Sequence, residues 1–130
     1  MTTELTVLAW GCVLALVHVF AAALVKTAQY GAKWNAGPRD ETLAPPTVLV
    51  ARLARAQANF FETFPVLIAA VLIVQLAGLA NASTGWGAIL WLVARIAYLP
   101  VYALGIPGLR SLIFLVSIAG LLMMLAPALV

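Results

Sequence analysis

Charge is scarce in this chain of 130 residues: only 8% of the residues are Asp, Glu, Lys or Arg, and 65% are hydrophobic. A soluble domain is typically about 25% charged and about 45–50% apolar. The composition therefore excludes a soluble surface and predicts an integral membrane protein that forms one domain, residues 1–130. The net charge of +3 comes from basic residues that cluster around one loop, a pattern that bears on membrane topology and not on nucleic-acid binding.

Thiol and imidazole groups are nearly absent as well. The single cysteine, Cys12, excludes an intrachain disulfide and a CxxC redox or metal pair. The single histidine, His18, excludes a multi-histidine metal site, so no metal site is predicted. We expect His18 to be a packed, hydrogen-bonded core residue in the middle of the first apolar segment, with proton transfer as the alternative role.

What the chain has in abundance is apolar sequence, arranged in four segments over about residues 5–30, 47–79, 86–104 and 109–128. A helix needs about 20 residues to cross a membrane, and each segment supplies that length or nearly so. Backbone polar groups must be satisfied internally in lipid, which favours helices over open strands. The predicted fold class is an all-α membrane protein, a bundle of four transmembrane helices.

The distribution of positive charge predicts the orientation of this bundle. Five of the seven basic residues flank the first loop and a sixth follows the third loop, at positions Lys26, Lys33, Arg39, Arg52, Arg55 and Arg110. The second loop and the C-terminal tail carry no charge. By the positive-inside rule, the first and third loops face the cytoplasm and both termini lie outside.

Two polar stripes interrupt the apolar segments, at positions where ionisable groups cost about 2.5–3.5 kcal/mol each at the centre of a membrane helix. On the second segment an arc of about 80° contains Arg52, Arg55, Asn59 and Glu62. On the third segment an arc of about 60° contains Arg95, Tyr98 and Tyr102. Both stripes belong to the cytoplasmic side of the predicted topology, where they would face each other and line a polar pocket.

Two interpretations of these stripes are open at this point. In the first, Glu62 pairs with Arg55 or Arg95 in a structural ion-pair network that holds the bundle together. In the second, the stripes bind a ligand, because ionisable groups inside a membrane usually mark functional sites. One carboxylate cannot neutralise three nearby arginines, and guanidinium groups suit carboxylates and phosphates. The excess positive charge favours a zwitterionic, peptide-like ligand with more acidic than basic groups.

These residues resemble the MAPEG family, the membrane-associated proteins in eicosanoid and glutathione metabolism. The run from Arg55 to Pro65 is similar to the family signature R-A-x-x-N-x-x-E-x-x-P. The spacing of Arg95, Tyr98 and Tyr102, and the run from Pro107 to Ser111, are similar to later family patterns. The chain looks most like bacterial members related to microsomal glutathione transferase and leukotriene C4 synthase, and a bacterial inner membrane is the expected location.

The resemblance implies a homotrimer with glutathione, as co-substrate, between neighbouring protomers. The implied glutathione contacts are Arg52, Arg55, Asn59, Glu62, Arg95, Tyr98 and Tyr102, with Lys26 serving the neighbouring protomer. Arg110 would stabilise the thiolate, and Ser111 lies beside it. The implied activity is transfer of glutathione to lipophilic electrophiles, reduction of lipid hydroperoxides, or both, with the lipophilic substrate arriving from the bilayer lipids.

Two other functions compete with this interpretation. A protein that kept the MAPEG fold without its chemistry would be a membrane scaffold or a lipid-binding protein. A small four-helix drug exporter would need an acidic residue embedded in its first helix, and the only candidate there is Glu4, at the extreme end of the first segment.

Overall fold

Helices account for nearly all of the ordered structure in the computed structural model, which describes residues 1–130. In chain order they are α1 (Thr3–Tyr30), α2 (Ala32–Ala36), α3 (Val48–Leu76), α4 (Ala82–Leu104) and α5 (Leu109–Leu129). All except α2 are long and apolar enough to cross a membrane. The prediction of an all-α membrane protein with four spanning helices is confirmed.

The four long helices form a bundle with a rhombic cross-section. Helices α3 and α4 touch across the centre, and α1 and α5 each pack against both of them without touching one another. The long helices run alternately up and down. One end of the bundle therefore contains the end of α1, the start of α3, the end of α4 and the start of α5. We call this the basic end, because every Lys and Arg except Arg95 lies in these helix ends or in the loops that join them. The start of α1 and the α3–α4 turn form the distal end.

The limits of α3 and α4 differ from the expected ones because of local capping. Helix α3 ends at Leu76 rather than at residue 79, since Gly78 adopts a left-handed conformation with φ of 67°. Helix α4 begins at Ala82 rather than at residue 86, because the Asn81 side chain accepts hydrogen bonds from the N–H groups of Ser83 and Thr84.

The other helix limits differ less. Helix α1 begins at Thr3 instead of residue 5, because the Thr2 hydroxyl caps its first turn. Helix α3 begins one residue late, since Thr47 is its N-cap and accepts a hydrogen bond from Val50 N at 3.3 Å. Helix α5 extends to Leu129, one residue beyond its expected end.

The first loop is held against the end of α1 by hydrogen bonds. The Gln29 side chain donates to Pro45 O at 2.9 Å and accepts from Thr47 N at 2.9 Å, and the Tyr30 hydroxyl donates to Ala44 O at 2.7 Å. These bonds bring both ends of the loop together at the basic end, with the short helix α2 between them. The loop therefore contributes a defined wall to that end of the bundle.

Aromatic side chains fill the centre of the bundle. The Phe60 ring contacts those of Phe64 and Trp91, with centroid distances of 5.0 and 5.9 Å. The His18 ring stacks on Phe60 at 4.6 Å. His18 is buried as expected, but neither ring nitrogen has a hydrogen-bond partner within the protomer. The expectation of a hydrogen-bonded histidine was wrong for the protomer, because no donor or acceptor lies within hydrogen-bond reach of either ring nitrogen.

Helices α4 and α5 cross where Gly87 meets Gly120. A methyl group added at Gly120 would lie 2.6 Å from Gly87 O and 2.8 Å from Trp91 N. Both distances are too short for a real contact, so the two backbones approach as closely as they do only because neither residue has a side chain. This crossing fixes α5 against the rest of the bundle.

We expect Gly120→Ala to destabilise the protein by about 1–3 kcal/mol, because the added methyl forces the two helices apart. The matched control is Gly85→Ala in α4, where the nearest atom, Thr3 Cβ, would lie at an ordinary 3.5 Å. Thermal unfolding in detergent, followed by circular dichroism, measures both effects. Equal melting temperatures for the two variants would show that the crossing is not close-packed.

Candidate functional site

A cavity of about 280 Å³ opens at the basic end between α3, α4 and the start of α5. We call it the arginine cavity. The residues that line it are Arg52, Arg55, Val101, Tyr102, Gly105, Ile106, Pro107 and Arg110. Three of these side chains are cationic and none is acidic, so the cavity concentrates uncompensated positive charge.

The Tyr102 side chain connects two of the three guanidinium groups. Arg55 Nε donates a hydrogen bond to the Tyr102 hydroxyl at 3.1 Å, and the Arg110 Cζ atom lies 4.8 Å from the centroid of the ring. Stacking on an aromatic face is favourable for a cation and offsets part of the repulsion between the two arginines. Tyr102 thus holds Arg55 and Arg110 beside one another, open to a shared anionic partner.

Arg52 has a structural contact in addition to its place in the cavity wall. Its Nη1 donates to Ala103 O at 3.3 Å, and this carbonyl belongs to the last turn of α4, where backbone oxygens lack partners within the helix. A methyl group at Gly105 would overlap the Arg52 guanidinium. Arg52 therefore fastens the start of α3 to the turn that leads into α5 and Arg110.

A second polar layer lies behind the cavity wall. Arg95 is fully buried, and its Nη1 donates to Asn59 Oδ1 at 2.8 Å. A guanidinium only donates, so the amide oxygen of Asn59 must face Arg95, which leaves the two N–H groups of the amide free. The Arg95 Cζ atom also lies 4.3 Å from the centroid of the Tyr98 ring. Arg95, Asn59 and Tyr98 form one contiguous group that does not itself line the cavity.

This layer contains polar atoms without partners in the protomer. They are Arg95 Nε, Arg95 Nη2 and the Tyr98 hydroxyl, all buried. Unpaired polar groups are costly in a low-dielectric interior. A fully buried guanidinium with one hydrogen bond, to a neutral amide, adds to the positive charge of this end of the bundle.

Glu62 and Ser111 lie apart from both groups. Glu62 is exposed on the outside of α3, about 20 Å along the helix from its start, and Ser111 is exposed on the first turn of α5. The ion-pair alternative for Glu62 is not formed within a protomer, since Arg55 bonds to Tyr102 and Arg95 bonds to Asn59. Glu62 therefore leaves a carboxylate exposed on the surface of the protomer.

Lys26 belongs to a different cavity, of about 470 Å³, between α1, the first loop and α3. We call it the lysine cavity; its polar lining consists of Lys26, Tyr30, Asn35, Arg39 and Gln57. The Trp34 ring lies between two cations, 5.4 Å from the Lys26 Nζ and 5.1 Å from the Arg39 Cζ. On α3 this cavity is bordered by Ala54 and Gln57, on the face opposite to Arg52 and Arg55.

The MAPEG family model matches residues 7–130. The chain belongs to the MAPEG family. Membership confirms the resemblance seen in the sequence motifs and places the protein in a family of membrane proteins associated with glutathione and eicosanoid metabolism. No curated protein matches the chain.

In this MAPEG protein the residues singled out by sequence fall into three places. Arg52, Arg55, Tyr102 and Arg110 share the arginine cavity; Asn59, Arg95 and Tyr98 form the layer behind it; and Glu62, Ser111 and Lys26 lie elsewhere on the protomer. Tyr30, Asn35, Arg39 and Gln57 were not predicted as site residues. The sequence could have indicated Gln57, because it is a polar residue in an apolar segment and lies outside the arginine stripe. The other three residues reach the lysine cavity only because of the path that the first loop takes.

We expect the Arg52 contact with the α4–α5 turn to be visible in the stabilities of two glycine variants. Gly105 and Gly78 both follow the end of a helix with positive φ, 69° and 67°, so alanine at either costs roughly 1–2 kcal/mol of backbone strain. Only Gly105→Ala also displaces the Arg52 guanidinium from its hydrogen bond to Ala103 O, whereas a methyl at Gly78 meets nothing within 4 Å. Thermal unfolding should show the larger loss for Gly105→Ala.

The Arg52→Ala background provides the control for this pair. In that background the two alanine variants should differ less, because the colliding guanidinium is gone, and the double-mutant cycle gives the coupling energy. A cycle with no coupling between positions 52 and 105 would contradict the proposed contact.

Proposed function

We propose that this MAPEG protein binds glutathione in the arginine cavity, as a trimer that completes the site between protomers, and transfers the bound thiol to lipophilic electrophiles. The observation that carries the proposal is the cavity itself, in which three arginines face no carboxylate. Such a cavity favours an anion, because it holds three like charges near one another without a counter-charge.

Glutathione matches the charges available. It has two carboxylates, one ammonium group and a thiol, so it is anionic overall and zwitterionic in part. Arg52 and Arg55 can each take a carboxylate through paired N–H donors. Glu62 offers the carboxylate that an ammonium group needs, and it has no partner in its own protomer. The amide N–H groups of Asn59 add donors between these charged groups.

In this proposal Arg95 acts through Asn59. Its hydrogen bond fixes the orientation of the Asn59 amide, and its charge, buried among Phe60 and Tyr98, strengthens the attraction for an anion at the cavity. Tyr98 supports the same layer from α4.

Three features of the protomer support an assembly in which the site is shared. The arginine cavity, at about 280 Å³, is slightly below the usual range for ligand pockets of roughly 300–1,000 Å³. Glu62 and Arg55 are exposed on a membrane helix, where lipid is a poor environment for either charge. The lysine cavity lies on the opposite face of α3, so a closed ring can bring it against the arginine cavity of the next protomer.

The proposed chemistry centres on Arg110. The thiolate is the reactive form of glutathione, and a neighbouring cation favours it. With Arg110 fixed over Tyr102, its guanidinium can stabilise the sulfur anion while the carboxylates are held by Arg52 and Arg55. The thiolate then attacks an electrophilic carbon, a new C–S bond forms, and the leaving group departs with its electron pair. Ser111 follows Arg110 on the first turn of α5 but does not line the cavity, so no step is assigned to it.

The orientation of the site completes the proposal. The basic end faces the cytoplasm by the positive-inside rule, so soluble glutathione reaches the arginine cavity from the aqueous side. The lipophilic substrate enters from the bilayer along the exposed apolar helices.

We expect purified protein in detergent to bind glutathione, and both Glu62→Gln and Arg55→Ala to weaken binding at least tenfold, since each removes one charge partner of the ligand. Isothermal titration calorimetry measures the affinities. Glu41→Gln is the matched control, because it removes a carboxylate from the exposed first loop. Absence of binding by a well-folded wild-type protein would sink the proposal.

For Arg110→Ala we expect a different result: glutathione still binds, within about threefold of wild type, but the ultraviolet absorbance of the bound thiolate falls and turnover of chlorodinitrobenzene drops at least a hundredfold. Binding and turnover should respond differently because, in the proposed complex, Arg110 faces the sulfur of glutathione, whereas the other arginines hold its carboxylates. Binding without turnover in the wild-type protein would instead favour a non-catalytic scaffold or lipid-binding protein.

A further inference from the structure

A buried carboxylate lies at the distal end of the bundle, far from the arginine cavity. Glu4, in the first turn of α1, is only 2% exposed. One of its oxygens, Oε1, makes a short hydrogen bond with the hydroxyl of Thr84, which is fully buried at the start of α4. A carboxylate removed from water is costly unless it is paired with a cation or fully hydrogen-bonded.

The hydrogen bonds around Glu4 do not meet that requirement. The Thr84 hydroxyl already accepts from Asn81 N at 2.8 Å and lies 2.8 Å from Asn81 O, so its single proton is shared between two acceptors. The second oxygen of Glu4, Oε2, takes part in none of the side-chain hydrogen bonds of the protomer. The carboxylate therefore has at most one donor.

No Lys or Arg side chain in this protein can pair with Glu4, and the α-ammonium group of Met1, a residue that is 90% exposed, forms no ion pair with it. Glu4 is the only Asp, Glu, Lys or Arg in the first part of α1, the end of α3, the α3–α4 turn and the end of α5. Neighbouring protomers in a ring around the membrane normal present the same helix ends at the same depth, and these ends contain no Lys or Arg. Glu4 therefore has no cationic side chain to pair with, either in its own protomer or in a neighbour.

The cavity beside Glu4 indicates which kind of partner fits the carboxylate. Its volume is about 420 Å³, and its lining includes Thr2, Thr3, Glu4, Asn81 and Trp86. The Trp86 ring is 65% exposed, and an indole face is the best aromatic surface for an organic cation. The hydroxyl groups and Oε2 are acceptors for N–H donors. We propose that this cavity binds a small organic ammonium group, with Glu4 as its counter-ion and Trp86 as its apolar wall.

The test is calorimetric titration of the full-length protein with ethanolamine in a detergent that contains no amine. We expect binding by the wild-type protein, at least tenfold weaker binding by Glu4→Gln, and about threefold weaker binding by Trp86→Phe. Choline should bind more weakly than ethanolamine, because it lacks N–H donors for Oε2. Glu41→Gln, which removes a loop carboxylate at the opposite end of the bundle, should bind ethanolamine like the wild type.

Nanodiscs distinguish a free amine from a lipid headgroup as the source of the ammonium. If the headgroup occupies the cavity, ethanolamine binds at least fivefold more weakly in phosphatidylethanolamine nanodiscs than in phosphatidylglycerol nanodiscs. If a free amine is the ligand, the two affinities are equal. Unchanged glutathione binding by Glu4→Gln shows that this variant folds, and Trp86→Phe, at an exposed position, provides a second variant.

The proposal is overturned if the wild-type protein does not bind ethanolamine in detergent or in phosphatidylglycerol nanodiscs. It is equally overturned if Glu4→Gln and Trp86→Phe both bind ethanolamine as tightly as the wild type does.

Discussion

Positive charge without a matching negative charge, held at one end of a membrane-embedded bundle, is the constraint on which the site depends. Arg52, Arg55 and Arg110 line one cavity, and Arg95 is buried behind them. Aromatic stacking and hydrogen bonds to neutral groups hold these guanidiniums in place but do not neutralise them. The proposed anionic ligand would neutralise them, and Arg52 ties α3 to the α4–α5 turn, which holds the wall of the cavity together.

The same constraint explains why a single protomer is incomplete in the proposed assembly. The carboxylate that would balance the arginines, Glu62, points outward from α3, and further cationic groups lie on the opposite face of that helix, around Lys26. A ring of protomers joins unlike faces, so each boundary can combine an arginine cavity with a lysine cavity. In this arrangement a ligand with both acidic and basic groups links two protomers, and ligand binding favours assembly.

Much of the fold followed from the sequence, because apolar length and helical period are local properties. The four spans and the shared face of Arg52 and Arg55 are examples. The helix limits were harder, since Asn81 and Gly78 act through cap geometry. The site was predicted only in part. Arg55 and Glu62 lie only about 20° apart around α3 but about 10 Å apart along its axis. The helical period therefore groups them, whereas the α4–α5 turn forms the cavity only at the level of Arg52 and Arg55. The burial of Glu4 depends on Thr84, 80 residues away, and no local pattern reports it.

The most direct test of the central claim is the structure of the protein in lipid nanodiscs with glutathione, determined by electron cryo-microscopy. We expect a trimer with glutathione density at each boundary, in contact with Arg55 and Glu62 of one protomer and with Lys26 of its neighbour. A monomeric protein, or a trimer whose arginine cavities are empty at saturating glutathione, would contradict it.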